Sequence, residues 1–159
     1  MSTCILWFRN NLRLSDNFPV AHAYANYDRV IPVYLWESPS LEKDRWGNEA
    51  MGPYRRTFLQ ESLEDLQERL REFDSDLLVV EKTEGKLIDL AKSFNANTII
   101  GPSEMAYNEK LEEQYVIESA KKAEINVRFF LERTLYTREQ LPFSVEQLPD
   151  VFTKFRKLV

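Results

Sequence analysis

The stretch Ile5-Leu6-Trp7-Phe8-Arg9-Asn10-Asn11-Leu12-Arg13-Leu14-Ser15-Asp16-Asn17 decides how the chain is read. Its first four residues are an unbroken apolar run, short enough for a strand buried on both faces. The run gives way at once to a polar turn rich in asparagine and arginine. Ser15 or Asp16 then stands where a helix cap is wanted, ahead of a helix over Phe18 to Ala25. A strand, a polar turn and a capped helix in that order are the first half of a βαβ unit.

The alternation continues outward from there. Val30 to Trp36 reads as the second strand, although Pro32 lacks a backbone donor and would normally push a strand toward a sheet edge. Residues 37–53 read as an irregular loop. A long helix follows over Tyr54 to Phe73, with Leu59, Leu63, Leu66, Leu70 and Phe73 forming one apolar stripe on an otherwise charged surface. Leu77 to Val80 is the third strand, and Leu87, Leu90, Ala91 and Phe94 mark a short helix. Thr98 to Ile100 is the fourth strand, ended by Gly101-Pro102. Glu109 to Ala123 is the next helix and Asn126 to Leu131 the fifth strand. Parallel neighbours need a crossover connection, so helices between strands imply a parallel sheet. With right-handed crossovers the expected fold is α/β: a Rossmann-like, doubly wound, five-stranded parallel sheet in the order 3-2-1-4-5, in three α/β/α layers. Ligands in such sheets bind beyond the carboxyl ends of the strands, near the switch point. That selects the loops 9–17, 36–53 and 101–109.

Composition narrows the function. A length of 159 residues suits one domain that buries a core without staples. No apolar run approaches the roughly 20 residues that cross a bilayer, and Met1 to Asn10 holds no secretory signal. The single cysteine, Cys4, excludes an internal disulfide and suits a reducing compartment, so a cytoplasmic location is expected. Its apolar surroundings mark a structural thiol rather than a reactive one. The net charge is −5 and no lysine/arginine cluster is present, so by itself the chain should bind DNA poorly.

Several motifs are missing. The four glycines, Gly47, Gly52, Gly85 and Gly101, form neither a dinucleotide fingerprint nor a phosphate loop. A stand-alone nucleotide-binding module is therefore disfavoured. The only histidine, His22, falls in the first helix with no nucleophile motif beside it, so no catalytic residue is assigned. One cysteine and one histidine build no ordinary zinc site, and no metal is expected. Trp7 belongs to the core and Trp46 to the loop before the long helix. Trp36, at a strand's carboxyl end, either lines a pocket or simply packs.

The last part breaks the alternation. Thr134 to Pro149, with Leu141-Pro142-Phe143 and Leu148-Pro149, reads as an extended connector. Asp150 to Val159 begins an amphipathic helix that stops uncapped. The expected organisation is an α/β domain over 1–131, then a connector and the start of a further domain over 132–159. The chain reads as the front of a longer protein.

Four segments together resemble the N-terminal domain of the DNA photolyase/cryptochrome family, most closely its DASH-type branch. Trp7 to Asn17 follows W-F-R-N-D-L-R-L-x-D-N, and Gly52 to Leu63 is close to G-P-x-R-x-x-F-L-x-E-S-L. Gly101 to Lys110 follows the fourth strand. Thr134-Leu135-Tyr136, Leu141-Pro142-Phe143 and the run Leu148 to Val159 complete the set. One departure is Asn11, where the family usually has aspartate.

The resemblance implies a light-harvesting domain that holds an antenna chromophore, methenyltetrahydrofolate or alternatively a deazaflavin. FAD and pyrimidine-dimer DNA would be held only by a following helical domain, absent here, which is this domain's implied partner. The full-length protein would then be a deoxyribodipyrimidine photo-lyase, and this domain alone would be inactive. The alternative is a blue-light photoreceptor without repair. In DASH-type proteins the glutamate matching Glu104 contacts the folate, and a carboxylate suits the donor edge of a flat pterin. Asn108 and Glu109 either assist or serve as helix cap and first-turn carboxylate. Arg55 matches a pocket-lining position in some relatives, and Trp36 with Glu37 would complete a wall. Arg9, Arg13 and Asp16 form either a polar network at the domain interface or a solvated turn.

Overall fold

Alternate residues of a strand face opposite sides of a sheet, and all six residues of β1 (Thr3–Phe8) are buried. Ile5 and Trp7 enter one core, while Cys4, Leu6 and Phe8 enter the other. A strand apolar on both faces has to be central with helices on each side. The computed structural model, which describes residues 1–37, 47, 51–136 and 140–159, has this arrangement.

The elements after β1 are α1 (Phe18–Asn26), β2 (Arg29–Trp36), α2 (Pro53–Arg71), β3 (Leu78–Glu81), α3 (Lys86–Ser93), β4 (Thr98–Ser103), α4 (Tyr107–Lys122), β5 (Asn126–Leu131) and α5 (Phe152–Leu158). The strands form one parallel sheet in the order β3-β2-β1-β4-β5, as expected. Helices α1 and α2 cover one face through Val20, Ala23, Leu63, Leu66 and Leu70. Helices α3 and α4 cover the other through Leu87, Ile88, Ala91, Val116 and Ala120. The crossover from the first half to the second falls between β1 and β4, so the sheet diverges at their carboxyl ends.

Local differences from the expectations have identifiable causes. Helix α1 is capped by Asn17 rather than Ser15 or Asp16: its Oδ1 accepts the Val20 N–H at 3.3 Å. Asp16 is in the left-handed region at φ 48° and cannot take the extended cap conformation. Phe73 leaves the α2 stripe and is 70% exposed. The helix ends at Arg71, and the chain reverses at Asp74 (φ 54°) with the Ser75 N–H bonded back to the Leu70 carbonyl. The prolines also find tolerant places. Pro32 lies one residue ahead of the first β2–β3 pair, Val33↔Leu78. Pro102 lies beyond Leu6↔Ile100, the last β1–β4 pair. At each level the strand has a neighbour on one side only, so a missing N–H removes little ladder.

Gly101-Pro102 does not end β4, which runs on to Ser103 against Phe129, Phe130 and Leu131. Gly101 is needed for close approach instead. A Cβ there would stand 3.0 Å from the Trp7 carbonyl oxygen and 3.5 Å from the Phe129 ring. Most of the expected loop over 37–53, including Trp46, lies outside the described residues. After Leu131 the chain leaves the sheet, and among the described residues beyond it a 3₁₀ turn at Val145–Gln147 precedes α5. Phe155 of α5 gathers Tyr136, Phe143 and Phe152 at centroid distances of 6.0–6.2 Å, a small aromatic cluster of the connector's own. Among the described residues no helix is long and apolar enough to cross a membrane.

The glycine argument is open to measurement. Gly101→Ala should cost about 1–3 kcal/mol in urea unfolding, because backbone and ring must both yield. Gly52→Ala, with nothing within 4 Å of the added carbon, should stay within about 0.5 kcal/mol. Equal effects would remove close approach as the reason for Gly101.

Candidate functional site

Two clefts open where the sheet diverges. The first, of about 480 Å³, lies over the ends of β1 and β2 and is lined by Arg9, Asn10, Tyr34, Glu37, Arg55, Phe58, Lys82, Glu109 and Glu112, among others. The second, of about 810 Å³, lies where β5 gives way to the connector, between Arg13, Asp16, Phe18, Ser103, Met105, Lys110, Glu132 and Thr134.

Glu104 sits between them. It is 3% exposed. Its Oε1 accepts from Asn10 at 3.2 Å and from Arg133 at 3.0 Å, while its Oε2 meets no donor among the described residues. Asn10 lines the first cleft, and the chain neighbours Ser103 and Met105 line the second. Burial of a carboxylate is tolerated here because one oxygen carries both a charged and a neutral donor.

The backbone of Glu104 is fixed from below by Glu113 of α4. Glu113 Oε1 accepts the Glu104 N–H at 2.6 Å and Arg9 Nη1 at 2.9 Å. Its Oε2 accepts Ser103 Oγ at 3.1 Å and Lys110 Nζ at 3.0 Å. Burial alone would raise the Glu113 carboxyl, but these donors and the Lys110 charge outweigh it and hold it below the usual glutamate value of 4.5.

The expected site residues divide in space. Glu37, Arg55 and Glu109 meet on the wall of the first cleft. Trp36 packs against the core under α1 and α2, on the same face of β2 as Tyr34, and is not among the residues that line the first cleft. Asn108 is exposed in the first turn of α4, which is capped by Ala106 without a side-chain bond, so Asn108 is not the helix cap. Glu109 lies in that first turn, where the helix dipole favours a carboxylate. Arg9 is 8% exposed, held by Glu112 at 2.7 Å and by Glu113, and stacked 4.6 Å over Trp7. It is engaged within this domain rather than presented at a surface. Arg13 reaches the Asp16 carbonyl oxygen at 2.8 Å and its carboxylate at 3.5 Å in an exposed turn.

Contributors that escaped the sequence reading include Asn10, Lys82, Glu112, Glu113, Glu132 and Arg133. Lys82 is clamped between Glu37 and Glu112. Desolvation lowers its ammonium, but the two carboxylates prevail and the net shift is upward. Glu113 did carry a signal. It shares the buried face of α4 with Val116 and Ala120 at spacings of three and four, so a charge stands at a core position. Burial also pushes the Cys4 thiol up to about 12, as suits a structural cysteine. Among the described residues no group of side chains could hold a metal.

Comparison with known proteins agrees with this architecture. The family model described as DNA photolyase matches residues 4–159. The chain belongs to the DNA photolyase family. It is 35% identical over 156 residues to a cryptochrome DASH of Synechocystis sp., covering 98% of this chain and 32% of that protein. It is 33% identical to the blue-light photoreceptor PHR2 of Arabidopsis thaliana, covering 98% of this chain and 35% of the relative. The crystal structure of the Synechocystis cryptochrome superimposes with a TM-score of 0.85 at 34% identity, over 99% of this chain and 33% of that one. The chain thus spans about a third of the length of these relatives, and corresponds to the N-terminal α/β domain of photolyase-family proteins.

Asn11, singled out in the sequence as a departure from the motif it resembles, is 7% exposed. Its Nδ2 donates to Glu132 Oε2 at 3.1 Å and to Asn17 Oδ1 at 3.3 Å, and Glu132 Oε1 accepts the Phe18 N–H at the start of α1. Asn11→Asp should therefore cost about 1–3 kcal/mol at neutral pH by setting two carboxylates face to face. The deficit should shrink on acidification as the pair takes up a proton; urea unfolding at pH 7 and pH 4.5 would show this, and a deficit independent of pH would refute it. Glu113 has its own acid signature. A depressed carboxyl stabilises the fold above its unfolded pKa, and that contribution fades as pH falls through the lower folded value. Glu113→Gln should accordingly flatten the stability profile below about pH 4.5.

Proposed function

We propose that this domain is the light-harvesting part of a photolyase-type protein and that Glu104 anchors a methenyltetrahydrofolate antenna. The observation that carries the reading is the divided carboxylate of Glu104: Oε1 is taken by Asn10 and Arg133, while Oε2 faces no donor among the described residues. An acceptor that no donor of the described residues occupies is open to a ligand's donors, and the amino and amide edge of a pterin supplies donors in a plane. Asn10 and Arg133 hold the carboxylate in place, and its chain neighbours Ser103 and Met105 line the cleft between β5 and the connector. Bound there, the pterin supplies near-ultraviolet absorption, while FAD in a following helical domain supplies the electron chemistry of pyrimidine-dimer cleavage. That helical domain is the proposed partner, and DNA contact belongs to it, in keeping with the acidic charge of −5 here.

A deazaflavin in the strand-end cleft is the second reading, favoured by the meeting of Glu37, Arg55 and Glu109 on one wall. Glu104→Gln separates the two. In the full-length protein it should weaken methenyltetrahydrofolate binding by about 1.5–3 kcal/mol, read by titration of near-ultraviolet absorbance. Equal affinity in wild type and variant would remove Glu104 as the anchor; a deazaflavin in the strand-end cleft would be indifferent to the substitution. Light-dependent dimer repair by the full-length protein, with none from residues 1–159 alone, would decide for a lyase over a blue-light photoreceptor, a role suggested by the name of the Arabidopsis relative.

A further inference from the structure

We infer that Glu113 is a positioning residue for the chromophore site, setting the direction of the Glu104 carboxylate through the Glu104 backbone. The inference rests on the reading of Glu104 as the anchor. Glu104 follows the last residue of β4, so no strand ladder continues beneath it. Its N–H is held instead by Glu113 Oε1 at 2.6 Å. The same oxygen takes Arg9 Nη1, which arrives from the end of β1, and Oε2 takes Ser103 Oγ and Lys110 Nζ. One buried carboxylate thereby ties the ends of β1 and β4 to the second turn of α4.

Two of these ties bear on Glu104 directly. Fixing its N–H fixes the plane of the 103–104 peptide and hence the line along which the side chain leaves the backbone. Fixing Arg9 steadies the end of β1, and the next residue, Asn10, is the neutral donor to Glu104 Oε1. With Oε1 held by Asn10 and Arg133, the placement of Oε2 follows from the same restraints, and the Glu113 network sets them. A recognition group must be held within about half an ångström to act fully, and the network supplies that restraint without touching the ligand.

Length and charge at position 113 can be separated. Glutamine keeps the reach: its carbonyl can accept the Glu104 N–H and Arg9, and its amide can donate to Ser103 Oγ, while the Lys110 ammonium, 46% exposed, loses its bond to position 113 and turns to solvent. Aspartate keeps the charge beside Arg9 but is one methylene shorter and withdraws from the Glu104 N–H. The experiment is a titration of full-length wild type, Glu113→Gln, Glu113→Asp, Glu104→Gln and the double variant Glu104→Gln/Glu113→Asp with methenyltetrahydrofolate. Absorbance of bound pterin gives the affinity, and a thermal melt of each variant gives the fold. Positioning predicts that Glu113→Asp weakens binding about tenfold or more while Glu113→Gln stays within about threefold. It also predicts that Glu113→Asp adds nothing once Glu104 is glutamine, since residues acting as a unit are not additive. Stronger loss with Glu113→Gln than with Glu113→Asp would make the role one of charge and overturn the inference. Additive losses would make it structural and overturn it too. Wild-type affinity in Glu104→Gln would instead sink the anchor reading itself, and the positioning role with it.

Discussion

A buried guanidinium organises the functional end of this domain. Arg9 follows β1, the central strand, and its side chain is taken out of water against the Trp7 ring. An uncompensated buried cation would cost several kcal/mol, so its partners are obligatory. They are Glu112, Glu113 and the Glu109 carbonyl, all on the first two turns of α4. The helix is thereby drawn over the end of the sheet, the loop from 103 to 106 is closed beneath it, and Glu104 comes to rest between two clefts. Lys82 extends the same alternation of charge from Glu112 to Glu37 across the ends of β2 and β3. Charges as far apart in the sequence as Arg9 and Glu113, separated by 104 positions, become one connected system at the carboxyl edge of the strands.

The sheet was legible because its signals are local. A fully apolar β1, leucines at helical spacing in α2 and strands separated by helices leave few topologies open. Where residues competed for a local role the reading was less secure. Asn17 took the cap from Asp16 because backbone dihedrals, invisible in the sequence, put Asp16 in the left-handed region. Gly101 looked like punctuation, and its real task is to let β4 lie against the Trp7 carbonyl. The switch-point rule singles out the loops 9–17, 36–53 and 101–109; Glu37 and Glu109, with Arg55 of α2, line one cleft, while the other draws also on the end of β5, which the rule does not select. The partners that give those residues their geometry lie far off in sequence. Arg133 is 29 residues from Glu104, and Glu132 is 121 from Asn11. No pattern within a helix or strand announces such pairs.

The same arrangement explains how an acidic domain tolerates so many carboxylates at one edge. Glu37, Glu112 and Glu113 each meet a cation, and Glu104 meets Arg133. The cations come from four separate segments, the ends of β1 and β3, the first turn of α4 and the start of the connector. A site of this kind is held by cross-links between elements rather than by any one loop, which is why it can be rigid while its loops carry little regular structure.

Glu132 has a consequence for the order of events during synthesis. It is the first residue after β5, yet it supplies acceptors to the Phe18 N–H and to Asn11, near the other end of the chain. Contacts that span 114 and 121 residues close long loops, and such closure comes slowly. A nascent chain can pair β1 with β2 early, but the turn that follows β1 lacks these partners until residue 132 has emerged from the ribosome. The earliest-made turn of the domain is thus among the last to acquire its final shape, and the growing chain must keep a polar, incompletely bonded turn beside its central strand until the fifth strand has been made.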